Sequence, residues 1–381
     1  DSERRPRLVL ICASGGGIRA GFWTLHVLRT LDQATAGKLM SQTVLMTGAS
    51  GGMWGAALYR ELYYRQQLGE PINRLDSSHL NCSSKDLMNS LAFTFLVNDI
   101  FIPWVHREVN GYTYVQDRGY SFEQQMIQNS GGLLLRNLCD YQAPEAAAQI
   151  PLLFLTPVIS NDNRLMVLSP QSVSYMMRPP FSYQGVNAAH RIDAVDYAAL
   201  LAAHNPLNLR LATALRMNAT FPFAFPSVQL PTTPTVGLVD AGFRDNFGLE
   251  MATRFAAIFR RWIRDHTSGV VIVSIRSYAR AEEIAETNSQ SLGEIVFNPL
   301  GPVFAIDALQ NYHHDNYLAY LRSKIGYNKV EVVNFVYEPT LLRERASLGL
   351  HLTQREKNDI LKAIQLPQNQ NSLRTLKRLL Y

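Results

Sequence analysis

The stretch Val44-Leu45-Met46-Thr47-Gly48-Ala49-Ser50-Gly51-Gly52-Met53-Trp54-Gly55 constrains the chain more than any other. It reads as a buried strand, a tight turn with a serine at its apex, and a helix. Gly48-Ala49-Ser50-Gly51-Gly52 fits G-x-S-x-G, in which a serine sits on a strained strand-to-helix turn that only small neighbours tolerate. Met53, Trp54, Ala57, Leu58 and Leu62 then recur at helical spacing, so one face of the helix is apolar. The pentapeptide alone also fits an ordinary glycine-rich turn. The strand before it and the amphipathic helix behind it are the context that a nucleophilic serine requires.

Arg7-Leu8-Val9-Leu10-Ile11-Cys12 is a short apolar run, as expected for a central strand of a parallel sheet buried on both faces. Ala13-Ser14-Gly15-Gly16-Gly17-Ile18-Arg19-Ala20 follows, and then a helix with Phe22, Leu25, Leu28 and Leu31 on one face. Such a glycine loop at a helix N-terminus offers N–H groups and a positive dipole end to an anion. Gly15-x-Gly17-x-x-Ala20 formally matches the dinucleotide fingerprint, which also needs an acidic residue near the end of the second strand. That strand, Thr43 to Thr47, ends in Gly48-Ala49-Ser50 with no acid, so the dinucleotide reading fails. The competing reading makes the loop an oxyanion hole for Ser50, both turns lying at the carboxyl edge of one sheet. Arg19 is then an auxiliary positive charge beside the hole or an ordinary solvated arginine; spacing does not choose between them.

The 381 residues, 47% hydrophobic and 18% charged, describe a globular protein with a large core. The length allows two or three domains, or one α/β domain with insertions. A net charge of +5 is compatible with an anionic membrane surface, and is too small and dispersed for nucleic acid. Cys12, Cys82 and Cys139 are odd in number and lack C-x-x-C spacing, which points away from disulfides and zinc and toward a reducing compartment. No apolar run approaches the roughly 18 residues that span a bilayer. The opening Asp1-Ser2-Glu3-Arg4-Arg5 carries no signal peptide and no initiator methionine, as in an excised domain. The expected location is therefore cytoplasmic, peripheral to a membrane, or the soluble part of an anchored protein.

Residues 66–150 read as an insertion. It holds a dense apolar block from Leu91 to Val105, either a lid or acyl-chain wall or, more commonly for such a run, a buried helix. Asp117-Arg118-Gly119 with Glu123 suggests a turn entering a helix. Pro151 to Val158 is a buried strand with a hairpin partner at Arg164 to Leu168, and 170–208 looks irregular. A helix from Asn208 to Met217 leads into an aromatic, proline-stiffened loop. The strand Thr235 to Val239 ends in Asp240-Ala241-Gly242. In the helix beyond, Met251, Phe255, Ile258, Phe259 and Trp262 are expected inward, with Arg254, Arg260, Arg261 and Arg264 mostly a solvated face. Gly269 to Ile275 and Val330 to Tyr337 are further strands. Thr353-x-x-Glu356 is a capping box, and the polar, basic last dozen residues read as a surface segment.

Gly15-Gly16-Gly17-Ile18-Arg19, Gly48-Ala49-Ser50-Gly51-Gly52 and Asp240-Ala241-Gly242, in that order, resemble the patatin-like phospholipases. Asp117-Arg118-Gly119, Pro151 to Pro157, Thr220-Phe221-Pro222, Asp245-Asn246 and Leu350-His351-Leu352-Thr353 are similar to stretches of a bacterial branch, so the likeness covers most of the chain. Ala241 stands where glycine is commoner. Ala20 after Arg19, with Trp54 after the elbow, is similar to cytosolic phospholipase A2 domains. The resemblance implies one catalytic domain over 1–381, a three-layer α/β/α fold with a mostly parallel central sheet and a helical insertion. It further implies a lipid acyl hydrolase working on phospholipid or another acyl ester at a membrane surface, with no cofactor and no metal.

It also implies a Ser–Asp dyad, with Ser50 as nucleophile, Asp240 as base, and Gly15, Gly16, Gly17 and Ile18 around the oxyanion. An aspartate of ordinary pKa, about 3.9, is a weak base, so the dyad needs a short hydrogen bond and a dry pocket. A Ser–His–Asp triad is the rival; His266, His313, His314 and His351 lie downstream, but none sits in a loop that demands the role. Two further functions compete with hydrolysis: acyl transfer through the same acyl-serine, and an inactive scaffold that binds lipid or protein.

Overall fold

The computed structural model describes residues 5–87, 106–109, 112–115, 117–179, 192–221, 225–279, 306–340, 346 and 349–381. In chain order the strands are β1 (Leu8–Ala13), β2 (Thr43–Gly48), β3 (His106–Val109), β4 (Tyr112–Val115), β5 (Leu152–Leu155), β6 (Val158–Ile159), β7 (Leu165–Val167), β8 (Ala194–Asp196), β9 (Val228–Leu230), β10 (Val236–Val239), β11 (Val270–Arg276) and β12 (Val330–Val336). The main helices are α1 (Gly17–Ala34), α2 (Ser50–Gln67), α3 (Arg118–Asn129), α4 (Leu211–Met217), α5 (Leu249–Ile258), α6 (Arg260–His266), α7 (Ile306–Ile325), α8 (Gln354–Ala363) and α9 (Pro367–Leu380).

The central sheet has the order β12-β11-β1-β2-β5, and every pairing in it is parallel. Side chains alternate across a strand, so β1 sends Val9, Ile11 and Ala13 to one layer and Leu8, Leu10 and Cys12 to the other. The first layer is built by α1, α2, α8 and α9, with Leu28, Met53, Ile360 and Leu376 in its core. The second is built by α5, α6 and α7, with Met251, Phe255, Ile263 and Leu321. Helices cover both faces, which is the three-layer α/β/α arrangement and explains why these strands read as continuous apolar runs. Each fully buried aliphatic side chain contributes about 1.5–3 kcal/mol to that core. Cys12 belongs to it; burial pushes its thiol well above the ordinary range, so it packs as a small hydrophobe.

A second sheet, β8-β7-β6-β10-β9, is antiparallel except where β7 meets β8. The bridge between Leu155 and Leu168 joins it to the end of β5. Its strand β10 delivers Asp240 to the carboxyl edge of the central sheet, and β8 gives order to part of the 170–208 segment that looked irregular.

Three expectations need correction. The helix after Asp240 is broken at Phe259 into α5 and α6, so one helical phase does not carry through. Trp262, beyond the break, is 52% exposed, whereas Arg254 lies before it and is buried because α5 is enclosed on every side and its guanidinium pairs with Asp193 and Glu250. The terminal segment is the amphipathic helix α9, which buries Leu376, Leu379 and Leu380 and starts with proline in its first turn. The fully buried Asn369 side chain fastens it, donating to the carbonyls of Val336 and Ala363 and accepting from the Val336 N–H. The helix expected from Asn208 begins at Leu211, after a short 3-10 turn.

The apolar block 91–105 lies outside the described residues. Within 66–150, Asp117 caps α3 by accepting the Tyr120 N–H, and Glu123 is paired with Arg210 and Arg216. Among the described residues no helix is long and apolar enough to cross a membrane.

Candidate active site

Ser50 is the first residue of α2 and has φ 48°, in the left-handed region that non-glycine residues avoid. Strain of this kind costs about 1–3 kcal/mol and persists only where the surroundings enforce it. Here the enforcement is close backbone packing. A Cβ on Gly48 would lie 2.0 Å from the Ala13 carbonyl oxygen. One on Gly51 would lie 1.8 Å from that of Gly17, and one on Gly52 2.2 Å from that of Ser14. The elbow and the glycine loop therefore press together without side chains between them, and a Cβ on Gly15 would come within 3.3 Å of the Ser50 Cβ.

Neither α1 nor α2 has a side-chain cap at its N-terminus. Both begin beside the serine, and their uncapped first turns make the pocket electropositive. The Gly15 N–H is already engaged with Asn246, at 3.0 Å to its carbonyl and 3.1 Å to its Oδ1. The Ile18 N–H donates to the Gly349 carbonyl at 3.3 Å. Of the four residues expected around an oxyanion, Gly16 and Gly17 have N–H groups without a hydrogen-bond partner among the described residues. Both glycines are half-buried and have positive φ, 133° and 59°. Ser277, just past the end of β11, holds the loop from beneath. Its Oγ donates to the Gly15 carbonyl at 2.6 Å, and its N–H donates to Ser14 Oγ at 2.8 Å.

Asp240 is buried at the end of β10, with its Oδ1 accepting the Gly242 N–H at 2.7 Å. Its own N–H donates to the Thr220 carbonyl at 2.9 Å, and the next N–H, from Ala241, donates to the Asn218 carbonyl at 3.3 Å. That same Asn218 carbonyl accepts the Ser50 N–H at 3.1 Å. Elbow and aspartate turn thus share one acceptor. They are also linked through Asn246. A Cβ on Gly15 would meet its Oδ1 at 2.4 Å, and one on Gly242 would lie 3.0 Å from both that atom and Asp240 Oδ1. Among the described residues the Ser50 hydroxyl makes no hydrogen bond to Asp240 or to a histidine. Catalytic hydrogen bonds are often loose before substrate binds. The late histidines have other neighbours: exposed His351 lies 3.5 Å from Asp86, and buried His314 lies 3.6 Å from Asp245.

Arg19 is buried, which removes the solvated reading. Its Nη1 donates to the Ala346 carbonyl at 2.7 Å, and its guanidinium lies 5.6 Å from the centre of the Tyr337 ring. Opposite, Arg244 and Arg254 share Asp193 and Glu250 in one ion-pair cluster. Burial raises the Asp193 carboxyl, but hydrogen bonds and charge from Arg254 and Arg244 outweigh it and hold the group below its usual range.

Sequence reasoning missed Asn218, Ser14, Ser277 and Gln310, and attached no role to Asn246. Gln310, on α7, accepts the Asn246 N–H and donates to the Gly242 carbonyl, both at 2.7 Å. Nothing periodic marks these residues. Each acts across a long sequence separation, and the only signal was that Asn246 belongs to, and Asn218 lies just before, a stretch already noted for its resemblance.

The patatin-like phospholipase profile matches residues 11–253, a span that includes the glycine loop, the elbow and Asp240. No curated protein sequence matches the chain. Among solved structures it is similar to human GIVD cytosolic phospholipase A2 in complex with methyl gamma-linolenyl fluorophosphonate, with TM-score 0.44 and 16% identity over 98% of this chain and 59% of that one. It is similar to VipD from Legionella pneumophila, with TM-score 0.37 and 10% identity over 99% of this chain and 67% of that one. It is also similar to the ExoU–SpcU complex from the type III secretion system of Pseudomonas aeruginosa, with TM-score 0.34 and 13% identity over 99% of this chain and 52% of that one. The chain thus spans less than two thirds of the phospholipase A2 and ExoU–SpcU chains it matches.

Proposed function

The chain belongs to the patatin-like phospholipase family, and from that premise we propose that it is a serine carboxylic-ester hydrolase cleaving fatty acyl esters of phospholipids or related lipids at a membrane surface. Ser50 Oγ attacks the acyl carbonyl carbon while its proton passes to the Asp240 carboxylate. The Gly16 and Gly17 N–H groups and the first turns of α1 and α2 stabilise the oxyanion, a contribution for which loss of one donor costs about a hundred- to thousandfold in rate. Collapse breaks the ester bond; the leaving alkoxide takes the proton from Asp240 and departs as the lysolipid or alcohol. Water then gives a proton to Asp240 as its oxygen attacks the acyl-serine, and on collapse the departing Ser50 Oγ takes that proton back, releasing the fatty acid and restoring both residues. Arg19 serves this site by bracing α1 rather than by touching the substrate. The basic excess of +5 favours approach to anionic lipid.

The observation that carries the reading is the single Asn218 carbonyl taking N–H groups from both Ser50 and Ala241, which ties the strained serine to the turn bearing a buried carboxylate. The test is Ser50→Ala against wild type on a fluorogenic acyl ester. The variant is expected to lose at least about a thousandfold in kcat while remaining folded. Equal turnover by the two proteins removes Ser50 from the mechanism and the reading with it.

A further inference from the structure

Asn218 stands where four parts of the fold end: α4 just before it, β2 and the elbow on one side, β5 on another, and the turn after β10 on the third. It is fully buried. Its backbone carbonyl receives the Ser50 and Ala241 N–H groups, at 3.1 and 3.3 Å. Its side chain fixes that carbonyl in place. Nδ2 donates to the Gly48 carbonyl at 3.1 Å, and Oδ1 accepts the Thr156 N–H at 2.8 Å. The amide orientation is set by these partners, because Gly48 offers only an acceptor there and Thr156 only a donor. Two residues on, the Thr220 carbonyl takes the Asp240 N–H. The strip 218–220 therefore bonds the serine elbow through Asn218 and the aspartate turn through both Asn218 and Thr220.

We propose that Asn218 is a positioning residue which sets the separation of Ser50 and Asp240 through its amide. This rests on the acyl-serine reading above. It deepens that reading by assigning the dyad's geometry to a side chain that touches neither substrate nor the reacting atoms. A buried amide that both donates and accepts is required. A side chain lacking the donor leaves the Gly48 carbonyl unmatched, and an ionised carboxylate repels it. A protonated carboxyl has nearly the same shape and recovers the donor.

The chemistry offers a readout that simple loss of packing does not move. Asn218→Ala and Asn218→Asp are assayed with wild type and Ser50→Ala on a soluble p-nitrophenyl ester, with circular dichroism to confirm folding. Asn218→Ala is expected to lower kcat about a hundredfold with KM within about threefold, as for misplacement of a reacting group by about 1 Å. Asn218→Asp is expected to show a comparable loss at about pH 8. The ratio of its kcat to that of wild type should then rise about tenfold on acidification, as the new carboxyl protonates; burial places that titration above the ordinary carboxylate range. Taking the ratio at each pH cancels the pH dependence that the two proteins share. A folded Asn218→Ala with wild-type kcat overturns the proposal, as does a pH-independent ratio for Asn218→Asp. If the alanine variant does not fold, the ratio decides. Full turnover in Ser50→Ala sinks the acyl-serine reading and this assignment together, whereas inactive Ser50→Ala beside fully active Asn218 variants sinks only the assignment.

Discussion

On the serine side of the site, backbone meets backbone: the carbonyls of Gly17 and Gly21 leave no room for a Cβ on Gly51 or Gly55. On the aspartate side, side chains make the structure. The Gln310 side chain accepts the Asn246 N–H and donates to the Gly242 carbonyl, Arg244 and Arg254 anchor the turn through Asp193 and Glu250, and the Asn218 and Asn246 side chains reach across to the Gly48 carbonyl and the Gly15 N–H. The first construction is made from two contiguous motifs joined by α1, the short helix Lys38–Gln42 and β2. The second gathers residues from the mixed sheet, α4, α5 and α7. The contrast teaches that the two halves answer differently to mutation. One has no tolerance for added atoms, and the other depends on charges and amides being matched.

Gly51→Ala is the most direct way to break the first construction. The added methyl would stand 1.8 Å from a carbonyl oxygen of another helix, with no flexible side chain to yield. Overpacking commonly costs 1–3 kcal/mol, and a clash with backbone exceeds it, so a loss above about 3 kcal/mol in a urea titration is expected. A variant that unfolds like wild type would show that the helices separate freely. Arg254→Met tests the other side. It removes one of the two arginines that share half-buried Asp193 and buried Glu250, Arg244 still pairing with both, and the expected cost in a urea titration is about 1–3 kcal/mol. A cost under about 1 kcal/mol would mean that the cluster does not hold the turn.

The third effect depends on pH. His26, on the buried face of α1, has its pKa lowered from 6.5 to about 4, first by burial and then by Arg29. The unfolded chain therefore binds this proton more readily than the folded one. The resulting stability is fully present above pH 6.5 and is lost as pH falls through about 4, a change of at most about 3 kcal/mol. Stability measured by urea unfolding between these limits should fall on acidification in wild type, and His26→Leu should lack that component. An identical slope in the two proteins would assign the acid sensitivity elsewhere.

The same contrast governs how much could be read from the chain. The glycine loop and the elbow are contiguous, and each is flanked by apolar periodicity, so their residues, strands and helices were legible. Asp240 was legible as the end of a strand. The partners of the Gly15 and Ile18 N–H groups come from Asn246 and Gly349, and long-range hydrogen bonds leave no local pattern. Trp262 was misplaced because a period carried across Phe259 ignores the break, and Arg254 because α5 is buried on every side and pairs that arginine with Asp193, distant in sequence. The final helix was overlooked because its apolar residues, Leu373, Leu376, Leu379 and Leu380, are few among polar ones.

The interlocked glycines of α1 and α2 have a mechanical consequence. Neither helix can slide or tilt without the other, so Ser50 and the glycine loop travel as a single rigid block. Under the proposed acyl hydrolysis, any breathing that admits a bulky chain has to arise on the opposite flank. Engineering of chain-length preference should therefore begin with the loops of the mixed sheet and leave the helix pair untouched.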